Sequence, residues 1–209
     1  ITIGKSGTLD NVLVSREQLV QEGMSLFFID RGGDVTYHGP GQLVGYPILD
    51  LKERGQDIHC YARNLEEVIL RTLKDFSIDA NRDDSHPGVW VNEEEIAAIG
   101  LSLRRWVSMH GFALNVNIDL EHFSFIHPCG FPDRRATSIS KILGNHVPMQ
   151  EATKSLISHF CDVFDFPKIS HYKFLFGSIL PRPQLPGPKV YEELREITLS
   201  KAKASPYSF

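Results

Sequence analysis

Residues 57–76 read DIHCYARNLEEVILRTLKDF. Ile58, Tyr61, Leu65, Val68, Ile69, Leu73 and Phe76 recur at intervals of three and four, which puts them on one face of a helix and predicts an amphipathic helix over Asp57–Phe76. N-terminal to it, Leu26-Phe27-Phe28-Ile29 is a short apolar run that reads as a buried strand, and Leu43–Leu51 reads as another. C-terminal to it, Gly88–Val91, Ile96–Val107 and Gly111–Val116 read as strands, with a turn expected over Asn92–Glu95. Met149–Phe164 then places Ala152, Leu156, Ile157, Phe160, Val163 and Phe164 on one side of a second helix. The order strands, helix, strands, helix predicts an α+β fold rather than a regular α/β winding.

Bulk properties narrow the function classes. The 209 residues suffice for one domain with a substantial core, and the balance of 42% apolar to 23% charged residues is that of a globular chain. A net charge of −4 and a pI near 6.1 give no broad basic footprint, so no nucleic-acid partner is expected. No apolar run approaches the roughly 20 residues that span a bilayer, so no membrane partner is expected either. Cys60, Cys129 and Cys161 are odd in number and form no CxxC pair, which argues against a disulfide framework or zinc site and for a reducing, cytoplasmic setting. The chain begins at Ile1, so a truncated N-terminus and a lost organelle-targeting segment are part of that expectation. Residues 1–168 are expected to form the main folded domain. Pro181, Pro183, Pro186 and Pro188 mark 169–209 as a Pro-rich C-terminal extension.

Three segments carry candidate chemistry. Arg31-Gly32-Gly33-Asp34-Val35-Thr36-Tyr37-His38-Gly39-Pro40-Gly41-Gln42 holds four glycines and a proline, which lets backbone approach a ligand closely, but lacks the GxxxxGK[ST] spacing of a P-loop. His110-Gly111-Phe112-Ala113-Leu114-Asn115 has small residues against which an apolar chain can lie; ordinary sheet packing explains them equally. In His127-Pro128-Cys129-Gly130 a proline and a glycine fix a tight turn around a thiol, a group that both attacks thioesters and leaves well. Cys60 and Cys161 are expected to be inert, buried positions on helix faces. A Cys–His hydrolase using Cys129 with His38, His110 or His127 is a rival.

Together these segments resemble the lipoyl(octanoyl) transferases. The resemblance is carried by RGGDVTYHGPGQLVGYPILDL (31–51), GVWV (88–91), IAAIG (96–100), HGFALNV (110–116), PCG (128–130) and ATSIS (136–140), and covers about residues 1–166. It implies a mixed β-sheet flanked by helices, as in the biotin and lipoate protein ligase catalytic domains. It implies movement of an octanoyl group from acyl carrier protein, through a Cys129 thioester, to a lysine on the lipoyl domains of 2-oxoacid dehydrogenases and the glycine-cleavage H protein. The acyl group is then expected against Arg31, Gly32, Gly33, Asp34, Val35, Thr36, Tyr37 and His38, against Ala98, Ile99 and Gly100, and against Gly111, Phe112 and Ala113. No cofactor, metal or nucleotide is implied; an ATP-dependent ligase of the same fold is a second rival.

One position departs from the family. Where its members have a lysine that lowers the thiol pKa, this chain has Glu95. A carboxylate facing the thiol opposes thiolate formation. Three readings follow: Glu95 is a base, another cation (Lys141, Arg104 or Arg105) substitutes, or the chain is a weak or inactive relative that binds acyl groups or lipoyl domains. Arg104, Arg105, Arg134 and Arg135 are candidates for a basic docking patch or for ordinary surface charge. Glu93, in the expected turn, stands where a positive φ favours glycine.

Overall fold

The computed structural model describes residues 1–83, 86–130 and 134–167; the Pro-rich 169–209 lies outside the described residues. In chain order the elements are β1 (Thr2–Ile3), α1 (Arg16–Gln21), β2 (Phe27–Phe28), β3 (Val35–Thr36), β4 (Gln42–Gly45), α2 (Ile58–Asp75), β5 (Asn81–Arg82), β6 (Gly88–Val91), β7 (Glu94–Arg104), β8 (Val107–Asn115), β9 (Arg135–Ala136), α3 (Ile139–Leu143) and α4 (Met149–Val163). The fold is α+β as expected, but its strands form two sheets. One has the order β2-β1-β3; the other runs β4-β8-β7-β6-β5, with β9 pairing β7. Both are mixed, because β1–β2 and β7–β9 are parallel pairs among antiparallel ones.

α2 starts where the sequence places it because Asp57 caps it, its carboxylate accepting from the amides of His59 (2.8 Å) and Cys60 (3.0 Å). Its stripe of Tyr61, Leu65, Val68, Ile69 and Leu73 is buried against the large sheet and α4. Each such side chain contributes about 1.5–3 kcal/mol relative to exposure. Glu66 shares that buried face. Its carboxylate accepts from the Gly88 amide (3.1 Å) and pairs with Arg63 (3.0 Å) and Arg82 (3.2 Å), which ties α2 to β5 and β6. A buried carboxylate so matched is costly to break from one side. Cys161 is buried as expected, but Cys60 is exposed, since it lies off the apolar stripe.

Two strand expectations are corrected. The strand read over Leu43–Leu51 ends at Gly45, and Leu51–Arg54 is a 3-10 turn. Pro47 has no N–H for the ladder. Instead the Ser108 hydroxyl donates to the Pro47 carbonyl and accepts from the Leu49 amide, both at 2.8 Å, and pairing resumes at Asp50 and Val107. The strand read through to Val107 turns at Arg105 (φ 52°) and Trp106 (φ 69°), so Val107 opens β8. The β6–β7 hairpin turns at Asn92 (φ 49°) and Glu93 (φ 68°), where the turn was expected. Positive φ at both central residues fits the twist of paired strands.

A second, smaller core lies under the three-stranded sheet. It gathers Ile3, Leu19, Leu26, Val35, Tyr37, Phe123 and Ile126. No helix among the described residues is long and apolar enough to cross a membrane.

Candidate active site

Between the two sheets is a cleft with about 480 Å³ of empty space, open to solvent. Its floor is the centre of the β7–β8 hairpin, where Ala98 faces Ala113 and Gly100 faces Gly111 across the ladder. A side chain at 111 would overlap the Gly45 carbonyl, so only glycine lets β8 pass there. Its roof is Arg31, Gly33, Asp34, Val35, Thr36 and His38. Ile99 and Phe112 complete the floor, and Tyr46 and His110, which the sequence did not single out as binding residues, line it as well.

Two residues of the glycine loop are placed elsewhere. Tyr37 turns into the small core, its hydroxyl within 2.9 Å of His122 Nδ1 and its ring edge-on to Phe123. Gly32 is a joint between the sheets, its amide donating to the Leu101 carbonyl at 2.7 Å.

The roof is held by a directed chain of hydrogen bonds. Arg31, a donor only, gives Nη2–H to Thr2 Oγ1 (3.0 Å) and to the Thr2 carbonyl (2.8 Å). At the other end, Asn115 Nδ2–H donates to the Thr137 carbonyl (3.0 Å), which can only accept. Asn115 Oδ1 therefore accepts from Gln42 Nε2 (2.9 Å), and Gln42 Oε1 faces His38 Nδ1 at 2.8 Å. His38 must carry its proton on Nδ1, leaving Nε2 to accept from the Thr2 hydroxyl at 3.3 Å. Burial pushes the His38 imidazole below its ordinary value, so the ring is neutral at pH 7.

The Pro128–Gly130 turn, which contains Cys129, packs against β3. Gly130 (φ +78°) approaches Asp34 so closely that a Cβ there would lie 2.7 Å from Oδ2. Asn11 fixes this joint: its Nδ2 donates to Asp34 Oδ2 at 2.6 Å and its carbonyl accepts from the His127 amide at 2.9 Å. Burial raises the Asp34 carboxyl above its ordinary value, against the pull of that amide. The Gly130 amide is used within the turn, donating to the His127 carbonyl.

Glu95 is buried on β7, and its backbone carbonyl accepts from the Thr137 amide (2.9 Å). A register shift at Val89 and Trp90 sets it opposite Trp90, with its carboxylate against Gly88. Of the three cations considered for the missing lysine, Lys141 bridges both carboxylate oxygens of Glu94 (2.7 and 2.9 Å) beside the His127–Pro128 segment. Arg104 and Arg105 are at the other end of β7, about 30 Å away at 3.3 Å per residue. The same distance separates them from Arg134 and Arg135, so the four arginines do not make one patch. Arg134 binds Asp83 (2.7 Å) and lies over the Trp90 ring. Among the described residues no group of three His, Cys, Asp or Glu forms a metal site.

The model of the lipoyl protein ligase A/B catalytic domain matches residues 1–161, which include both walls of the cleft and the Cys129 turn. The chain belongs to this family. Within the family it is similar to an octanoyltransferase of Caldicellulosiruptor saccharolyticus, with 51% identity over 166 residues, 78% of this chain and 71% of that one. Among solved structures it is similar to the bi-partite lipoate protein ligase of Thermoplasma acidophilum (TM-score 0.63, 19% identity, 96% of this chain, 75% of that one). It is also similar to the biotin protein ligase of Aquifex aeolicus in complex with biotin and ATP (TM-score 0.52, 16% identity, 78% and 70%). At such identities the likeness is one of fold: lipoate and biotin protein ligase catalytic domains share this α+β arrangement.

Asn11, Thr2 and Tyr46 are site residues that the sequence reading did not single out, and His110 was read only as a possible partner of the thiol, not as part of the cleft wall. Thr2 and Asn11 stand in segments without periodicity. His110 precedes a glycine, but nothing in its type announces a positive φ inside a strand.

Proposed function

We propose that this chain is an octanoyltransferase of protein lipoylation, and that the acyl group travels through Cys129. The observation that supports the proposal is that the turn containing Cys129 packs against β3, a strand that lines a cleft floored by small residues. The names of relatives at about half identity support octanoyl as the group moved. Cys129 attacks the thioester of an acylated carrier protein: a new C–S bond forms and the carrier thiol leaves. A backbone amide of the glycine loop stabilises the oxyanion, since those of Gly32 and Gly130 are engaged. The octanoyl chain lies along Ala98–Gly100 and Gly111–Ala113 under Arg31–His38. The amine of a lipoyl-domain lysine then attacks the Cys129 thioester, forming the amide and returning the thiol. Lipoyl domains of 2-oxoacid dehydrogenases and the H protein are the acceptors, acyl carrier protein is the donor, and the cytoplasm is the setting.

The test is intact mass after incubation with octanoyl-acyl carrier protein. A single octanoyl adduct that is lost in Cys129→Ser is expected; no adduct on folded wild-type chain would sink the proposal. Transfer that instead requires free octanoate and ATP would make the chain a ligase. Glu95→Lys should speed acylation at neutral pH by roughly tenfold, because a cation in place of an anion on the strand that pairs with the segment after the Cys129 turn favours the thiolate. An unchanged rate would mean that Glu95 does not act on the thiol.

A further inference from the structure

Two rings that line the cleft, those of Tyr46 and His110, are not used by the transfer steps. Tyr46 follows β4, and His110 stands inside β8 with φ +59°, a left-handed conformation uncommon for a non-glycine residue. The ring is held from two sides. Its Nε2–H donates to Asp30 Oδ1 at 2.7 Å, and it forms a T-shaped pair with the Tyr46 ring at 5.9 Å between centroids. A backbone held in the left-handed region next to Gly111 gives this ring a definite place at the cleft wall.

Position along the strands says what the wall does. The segment after the Cys129 turn pairs with β7 at Glu94 and Glu95, whereas His110 pairs with Leu101. From Glu95 to Leu101 the strand advances about 20 Å, and the floor of small residues begins halfway along. An acyl chain anchored at Cys129 and laid on Ala98 and Gly100 therefore runs toward His110 and Tyr46. We propose that these two rings are the end-stop that sets acyl length, with Asp30 positioning His110. The inference rests on the acyl-transfer reading.

The test compares adduct formation from octanoyl-, dodecanoyl- and tetradecanoyl-acyl carrier protein by intact mass. His110→Gly removes the ring and suits the positive φ; Tyr46→Ala alters an exposed side chain, so folding is retained. Both should raise the dodecanoyl-to-octanoyl ratio by about tenfold or more, the scale on which apolar pockets discriminate length. Asp30→Ala, which only frees the His110 ring, should move it the same way by less. Octanoyl adducts with an unchanged ratio in all three variants would overturn the end-stop and leave the transfer reading standing. Absence of any octanoyl adduct on the wild-type chain would overturn both.

Discussion

The two halves that enclose the cleft are built differently. The large sheet with α2 and α4 has strands of up to 11 residues and a core of aliphatic side chains. The small sheet has three strands of two residues each, and its loops are held by polar side chains: Arg31 on Thr2, Asn11 on Asp34, His38 on Gln42. Both halves bury apolar side chains, but the small half has the lesser core and adds to it side-chain hydrogen bonds with one correct geometry. The polar half carries the roof of the cleft and receives the Cys129 turn. A site that must hold a reacting group in one orientation gains more from directional bonds than from apolar packing.

The contrast can be broken by substitution. Leu65→Ala, fully buried under the large sheet, should cost about 2–5 kcal/mol and lower the melting temperature of the whole chain. Asn11→Ala removes the side-chain donor to a half-buried carboxylate and should cost about 1–3 kcal/mol. Its loss should be confined to faster amide exchange in residues 1–36, with slower acylation. Equal loss of protection in α2 would show that the halves unfold as one unit. Glu93→Gly relieves a left-handed residue and should add about 1 kcal/mol, read from the denaturation midpoint.

The smallest effect is on pH dependence. Burial lowers the His38 imidazole from 6.5, so the folded state favours the neutral ring. That stability is present above the unfolded value of 6.5 and is lost as pH falls below it through the folded value. Urea midpoints measured between about pH 7.5 and pH 5 should fall for wild type and fall less for His38→Gln. Parallel slopes would mean that His38 titrates alike in both states.

Legibility follows the same division. α2, α4 and β6 are read within a residue because three-and-four or unbroken apolar patterns record burial directly. α1 and α3, of six and five residues, are too short for a periodic pattern, and β1, β5 and β9 have two residues each. The β7–β8 turn was missed because Arg105-Trp106 carries none of the usual turn chemistry; pairing along the long hairpin imposes its φ values.

The sequence by itself determined the α+β order, the glycine loop, the floor of small residues and the Cys129 turn, because residue type alone states where backbone can pass closely or a thiol can stand. Only the tertiary structure decided that Tyr37 leaves the cleft while Tyr46 and His110 enter it. It also separated the four arginines into pairs at opposite ends of β7 and set Lys141 on Glu94. Those outcomes depend on which strands meet and in which register, and a side chain's neighbours across a sheet are fixed by pairing between residues far apart in the chain.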